Sequence, residues 1–247
     1  MKPIQLIELT KDVEILYSNT IVELSSKRRK EVEDFWEEIN QQNAFHRGEV
    51  FNVQSIIEEQ NSYKIVINCT DYAHYLHTVR NRITDDEGCK VVFGAGLVET
   101  NDSKFVFGEM GNHTAYPGRF QCVGGGLSWN DKKDDYFDLK ENVLRELAEE
   151  LGIYEANKIE KCTPVFIKTG GTFDFIVVLY HIKLKITSYE LIESYKHFTE
   201  ELLLKGEKPE FQSVVYLENN IDSVSNFFDG KRYCEEYLQP YLEQMAR

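Results

Sequence analysis

Apolar and polar positions alternate with a period of two along the first part of the chain. Ile4–Leu9, Val13–Tyr17 and Ile21–Leu24 predict short strands, and the first of them suggest a hairpin. Ser25 and Ser26 then precede Lys27–Asn40, where Val32, Phe35, Trp36 and Ile39 recur at helical spacing. Strand patterning returns at Val50–Ile57 and Tyr63–Cys69, on either side of the polar turn Glu58–Ser62. Thr70–Arg82 predicts a second helix, capped by Thr70 or Asp71, with Tyr72, Tyr75, Leu76 and Val79 on one face. Residues 1–86 therefore read as a smaller N-terminal α+β lobe, although no Pro- or Gly-rich linker marks its edge.

The texture changes at Lys90. Val91–Val98 and Lys104–Glu109 alternate strongly, Phe120–Val123 follows a loop of Gly, His and Pro, and Gly124–Gly126 come next. A polar loop, Leu127–Asp138, leads into the clearest helix, Leu139–Leu151. Asp138 is its N-cap, with Glu141 at capping-box spacing, and Gly152 its C-terminal stop. Strands are expected at Val165–Thr169, Thr172–Ile186 and Ser213–Leu217, with helices at Ser188–Leu204 and Lys231–Met245. Strands interleaved with helices predict an α/β or α+β sandwich over residues 87–247.

Composition narrows the function. With 42% apolar residues, 15 Phe and 14 Tyr in 247 residues, the chain can bury a substantial core. Its 28 basic and 42 acidic residues give a net charge of −14, which opposes nucleic-acid binding driven by counterion release. One small phosphorylated ligand stays compatible, provided a metal ion or local basic groups screen the repulsion. No basic segment followed by an apolar core opens the chain, and no run approaches the length of a spanning helix, so a cytoplasmic protein without membrane contact is expected. Five scattered cysteines with no C-x-x-C pair fit reduced, buried thiols.

The chemistry concentrates in Arg145–Ile153. On a helix Glu146, Glu149 and Glu150 fall within a sector of about 100°, away from Leu144, Leu147 and Leu151. Three like charges so placed repel one another, and spacing alone favours a plain solvated acidic face. A hard divalent cation such as Mg²⁺ or Mn²⁺ would remove the repulsion, and Mg²⁺ commonly shares its shell with substrate phosphates. Arg145 beside the cluster, and glycines upstream where backbone must approach a ligand, favour the second reading.

The segment Arg145–Ile153 resembles the second half of the Nudix box, G-x(5)-E-x(7)-R-E-U-x-E-E-x-G-U, with U a bulky aliphatic, at all nine positions. The similarity extends over about residues 88–220. Counting back from Arg145, however, places Phe137 where the box has glutamate and Asp131 where it has glycine. An insertion of about five or six residues within Leu127–Asp138 accounts for the departure, with Asp138 or Glu141 as substitutes for the missing acid. The resemblance implies a Nudix α/β/α sandwich with a mixed sheet, and metal-dependent cleavage of a nucleoside diphosphate linked to another moiety. It implies Glu146, Glu149, Glu150 and a Gly124–Gly126 carbonyl, taken as that of Gly125, as metal ligands. Glu149, or else Glu210 before the last strand, is the expected base.

Specificity is less legible. Arg119, Lys168 and Lys104 are candidate phosphate contacts, although a tight turn explains the glycines after Lys168 equally well. Trp129, Tyr136, Tyr116 and Phe120 could stack on a base or simply pack their loops. The segments FWEEIN, GEVFNV and CTDYAHYLHT are similar to the region preceding the Nudix domain in long members that split nucleotide sugars. Two alternatives remain: a Nudix-fold module that binds its ligand without cleaving it, and a prenyl diphosphate isomerase, for which Cys122 is the candidate cysteine. The N-terminal lobe stands either over the site or in a homodimer contact, and the residues do not choose between them.

Overall fold

The computed structural model describes residues 2–42 and 45–246. Its first elements are β1 (Lys2–Glu8), β2 (Asp12–Ile21), α1 (Ser26–Ile39), β3 (Glu49–Glu58), β4 (Ser62–Asp71) and α2 (Tyr72–Arg80). There follow β5 (Val92–Glu99), β6 (Lys104–Met110), the short β7 (Phe120–Gln121), a hairpin of β8 (Lys132–Lys133) and β9 (Tyr136–Phe137), and α3 (Leu139–Leu151). The chain ends with β10 (Ile159–Gly171), β11 (Ile176–Leu184), α4 (Ser188–Leu204), β12 (Phe211–Glu218), α5 (Ile221–Asp229) and α6 (Leu238–Met245). No described helix is long and apolar enough to cross a membrane.

The larger sheet runs β1-β10-β11-β5-β6-β12, with β7 added to β6. It is mixed: β11 lies parallel to β5 in the register Ile176↔Val92 to Lys183↔Glu99, while the other pairs are antiparallel. Alternation sorts its side chains to two faces. Ile176, Val178 and Ile182 of β11 join Val143, Leu147 and Leu151 of α3 in one cluster. Val177 and Leu179, with Phe105 and Phe107 of β6, meet Val224 and Phe227 of α5 and Leu238 and Tyr241 of α6 in the other. The result is the expected three-layer α/β/α arrangement, with helices on both faces because both faces of its central strands are apolar.

A smaller sheet, β3-β4-β2-β9-β8, carries α2 at the end of β4. The expected hairpin of the first two strands is not formed. β1 joins β10 in the larger sheet, whereas β2 lies between β4 and β9 in the smaller one. The hairpin from the Leu127–Asp138 loop thus enters the smaller sheet while the first strand leaves for the larger, so the line at residue 86 is crossed twice. Ile15, Phe51, Ile65 and Ile67 share one core cluster with Val92, Leu127, Phe137 and Leu139.

Three further differences from expectation have local causes. β2 ends at Ile21, so Ile21–Leu24 is not a separate strand. The last helix begins at Leu238 rather than Lys231, because the preceding segment is drawn out against β7: Phe120 N–H donates to Tyr233 O and Glu235 N–H to Phe120 O. The nine-residue α5, absent from the expectation, is capped by the Asn220 side chain, which accepts from Ser223 N–H, and seats Val224 and Phe227 in the core.

Candidate active site

The site is built on α3. Asp138 accepts from the N–H groups of Lys140 and Glu141, and Gly152 ends the helix in the left-handed conformation at φ 70°. Leu147 and Leu151 are fully buried beneath it. The helix can lie close to the sheet because β5 offers glycine there: a Cβ on Gly94 would come within 2.4 Å of Val143 Cγ2.

The three glutamates meet different surroundings. Glu150 is 1% exposed; its Oε2 accepts from Gly124 N–H at 2.8 Å, while its Oε1 is buried with no hydrogen-bond partner. Burial, then Glu210 and Glu146 nearby, pushes its carboxyl well above the ordinary range. Glu146, 8% exposed, is raised from 4.5 to about 7, first by burial and then by Glu149 and Glu210, against the opposing pull of Arg145. Glu149 is exposed and pairs with Arg145 at 2.9 Å. The plainer expectation of a solvated acidic face therefore describes one carboxylate of the three.

Glu210 joins this group from the loop before β12. Its main-chain carbonyl accepts from Gly111 N–H at 2.7 Å, which fixes the loop against the end of β6. Although the residue is exposed, the protein around its carboxyl and then Glu149 raise that carboxyl. Glu210 is felt in turn by Glu146 and Glu150, so four acids share one electrostatic neighbourhood.

The glycines close the other side. Gly124 has φ 150°, and a Cβ there would meet Gly94 O at 2.3 Å, so only glycine fits. A Cβ on Gly125 would come within 2.6 Å of Glu146 Oε1, so its backbone lies directly against that carboxylate.

Asp131 is the residue the sequence reading missed. Five residues separate it from Gly125, so it stands at the glutamate position of the box when the count runs forward from the glycines. Thirteen residues rather than seven then separate it from Arg145, and the six additional ones, 132–137, are the β8–β9 hairpin. Asp131 is 3% exposed; its Oδ2 accepts from Ser128 N–H at 2.8 Å and Asn142 Nδ2 at 3.1 Å and lies 3.3 Å from Arg145 Nη2. Asn142 Nδ2 also donates to Gly126 O. Neither proposed substitute fills this place, since Asp138 is engaged in capping α3 and Glu141 is exposed.

Arg145 turns its other edge to the glutamates. Its Nη1 lies 2.9 Å from both Glu146 Oε1 and Glu149 Oε2. Among the described residues no three His, Cys, Asp or Glu converge as a ready-made metal cage. The donors nonetheless fit a hard divalent ion: the carboxyls of Glu146 and Glu150 are raised first by burial and then by neighbouring acids, and one Glu150 oxygen is buried without a partner. Arg145 Nη1 thus occupies Glu146 and Glu149 while its Nη2 rests against Asp131.

Beside Gly124–Gly126 and Glu210 opens a cavity of about 390 Å³, which brings Phe51, Tyr72 and Tyr75 opposite Tyr116, Arg119 and Gln121. Arg119 lines this cavity, and its guanidinium pairs with Glu235, donates to Gln121 Oε1 and lies 3.8 Å from the centre of the Tyr116 ring. The other two substrate candidates lie elsewhere. Trp129 packs edge-on against Tyr17 and Phe51 and beside Phe137, joining the hairpin to the smaller sheet. Lys168 is 1% exposed, and its ammonium donates to the carbonyls of Gly170 and Phe175 and to Glu236. Cys122 is fully buried, and burial pushes its thiol up, which leaves it unsuited to acid–base work.

No family model and no curated sequence matches this chain. Solved structures do. A protein of Deinococcus radiodurans matches with a TM-score of 0.43 at 11% identity, over 63% of this chain and 83% of its own. A Nudix-family hydrolase of Clostridium perfringens matches at 0.38 and 12%, over 63% and 95%. A bifunctional NMN adenylyltransferase/ADP-ribose pyrophosphatase of Francisella tularensis, complexed with AMP and a manganese ion, matches at 0.42 and 14%, over 68% of this chain and 44% of its own.

Proposed function

We propose that this chain is a Nudix-type pyrophosphohydrolase that uses Mg²⁺ or Mn²⁺ to cleave a nucleoside diphosphate linked to another moiety. One observation carries the reading: Glu146, Glu149 and Glu150 stand on one helix against a glycine run, with a buried, unpartnered Glu150 oxygen that a cation would satisfy. The identity of the group beyond the diphosphate, a sugar included, belongs to the same proposal. So does a cytoplasmic location.

Glu146, Glu150 and the Gly125 carbonyl would hold the ion, which when bound polarises a phosphoryl oxygen and neutralises the crowded carboxylates. Glu149 is the base. It is the exposed member of the cluster, so it can meet a water molecule and take its proton as the oxygen attacks phosphorus. Glu210 orients that water from the opposite loop. The glycine run lets the diphosphate approach the main chain without side-chain obstruction.

A phosphate-coupled screen of dinucleotides, nucleotide sugars and nucleoside triphosphates, with and without Mg²⁺, tests the proposal. Turnover of one class that requires metal and disappears in Glu149→Gln, with an unchanged melting temperature, is the expected result. Near-normal turnover of Glu149→Gln at saturating Mg²⁺ would remove Glu149 from the role of base. The contact of Arg145 with two of the glutamates favours a second reading, a module that binds without cleaving. Thermal stabilisation by the same ligands without turnover is its signature.

A further inference from the structure

The cavity beside the carboxylates is walled by both sheets. Tyr72 and Tyr75, on α2 at the end of β4, supply one side; Tyr116 and Arg119, from the loop before β7, supply the other. The rings of Tyr72 and Tyr75 stack with centres 5.7 Å apart and planes inclined by 28°. The hydroxyl of Tyr75 meets that of Tyr116 across the gap at 2.7 Å. Two hydroxyls that bond each other still retain one O–H to donate and lone pairs to accept, so the pair can read a polar edge, while Arg119 covers the Tyr116 ring and Tyr72 and Phe175 hold that of Tyr75.

Charge separates the two ends of this space. Among the described lining residues Arg119 is the only cation, and Glu235, Gln121 and the Tyr116 ring already engage it. Glu49, Glu210 and Glu235 are the acids around the cavity. A phosphate group placed among the tyrosines would find no free cation, so phosphates belong at the glycine run and an uncharged group belongs between the aromatic walls. Aromatic faces accept a planar ring whatever its sequence of polar atoms.

On the reading of the site as diphosphate-cleaving, we infer that Tyr75 and Tyr116 are its specificity-determining pair, gripping an uncharged nucleoside ring at the non-phosphate end of the substrate. The smaller sheet is then a selecting wall of the site.

Calorimetric titration of the full chain in Mg²⁺ with AMP, UMP and ribose 5-phosphate tests this without requiring turnover. At least one nucleotide should bind about tenfold or more tightly than ribose 5-phosphate, the scale of one aromatic stack. Tyr75→Ala and Tyr116→Ala should abolish that preference and leave ribose 5-phosphate unchanged. Tyr75→Phe, which keeps the ring and the fold, should retain the preference over ribose 5-phosphate and narrow the difference between AMP and UMP. Equal binding of nucleotides and ribose 5-phosphate to the wild type overturns the inference, as does an undiminished preference in a folded Tyr75→Ala. A ring preference without hydrolysis of any diphosphate would refute the hydrolase and leave this pair standing. Hydrolysis without ring preference would do the reverse.

Discussion

The carboxyl of Glu146 couples acidity to stability in a way that can be measured. Burial, with Glu149 and Glu210 nearby, pushes it up to about 7 from the free value of 4.5. A raised carboxyl prefers its proton, so between those values the folded state binds more protons than the unfolded one, and stability falls as pH rises. At about 1.4 kcal/mol per tenfold change, the metal-free protein loses about 3 kcal/mol from this group across that window. For a chain of this size that is about 6–12 °C in melting temperature. The assay is a set of thermal melts in chelator from pH 5 to 8, on the wild type and Glu146→Gln. The neutral variant removes this titration, so the difference between the two curves should widen with pH, with the wild type the less stable at pH 8. Saturating Mg²⁺ should reverse the trend for the wild type, because the ion binds the ionised form. Parallel wild-type and Glu146→Gln profiles in chelator would refute the assignment of a buried, proton-retaining carboxyl.

Asp131→Ala removes the anchor of Arg145 and leaves a half-buried guanidinium without its partner on that edge; a loss of about 3 kcal/mol in stability, with a lower kcat, is expected in melts and steady-state kinetics. Phe137→Ala empties a contact among Tyr17, Phe51 and Trp129, and should cost about 3–5 kcal/mol by denaturant unfolding and increase proteolysis around the β8–β9 hairpin. Lys168→Met should lower the melting temperature and leave KM unaltered, because its ammonium is spent on carbonyls and Glu236.

Legibility followed the range of the forces involved. α3 was readable to the residue, since its cap, its leucine stripe and its glycine stop are all local to Asp138–Gly152. The alternation of β1 and β2 announced strands but carried nothing about partners, and the two enter different sheets. α5 was missed because nine residues with two buried positions make a short signal beside a long strand. In the site, the glutamates on one helix were legible as a cluster, whereas Asp131 was hidden by counting backward through a hairpin that belongs to the other sheet. Lys168 read as a cation free to meet phosphate; only the folded turn of Gly170 and the side chain of Glu236 reveal where its charge is used.

The pairing of β1 with β10 also sets a schedule. Lys2 faces Gly171, so the first strand waits for 169 further residues before its partner exists. At ordinary rates of synthesis that is roughly 10–30 s, during which β1 lacks its partner strand. The two sheets are completed at different times: the smaller one has all its strands once β9 is made, whereas the larger one holds both β1 and β12. The smaller sheet should therefore acquire protease resistance first, and the larger one only after β12, which ends at Glu218, has been made.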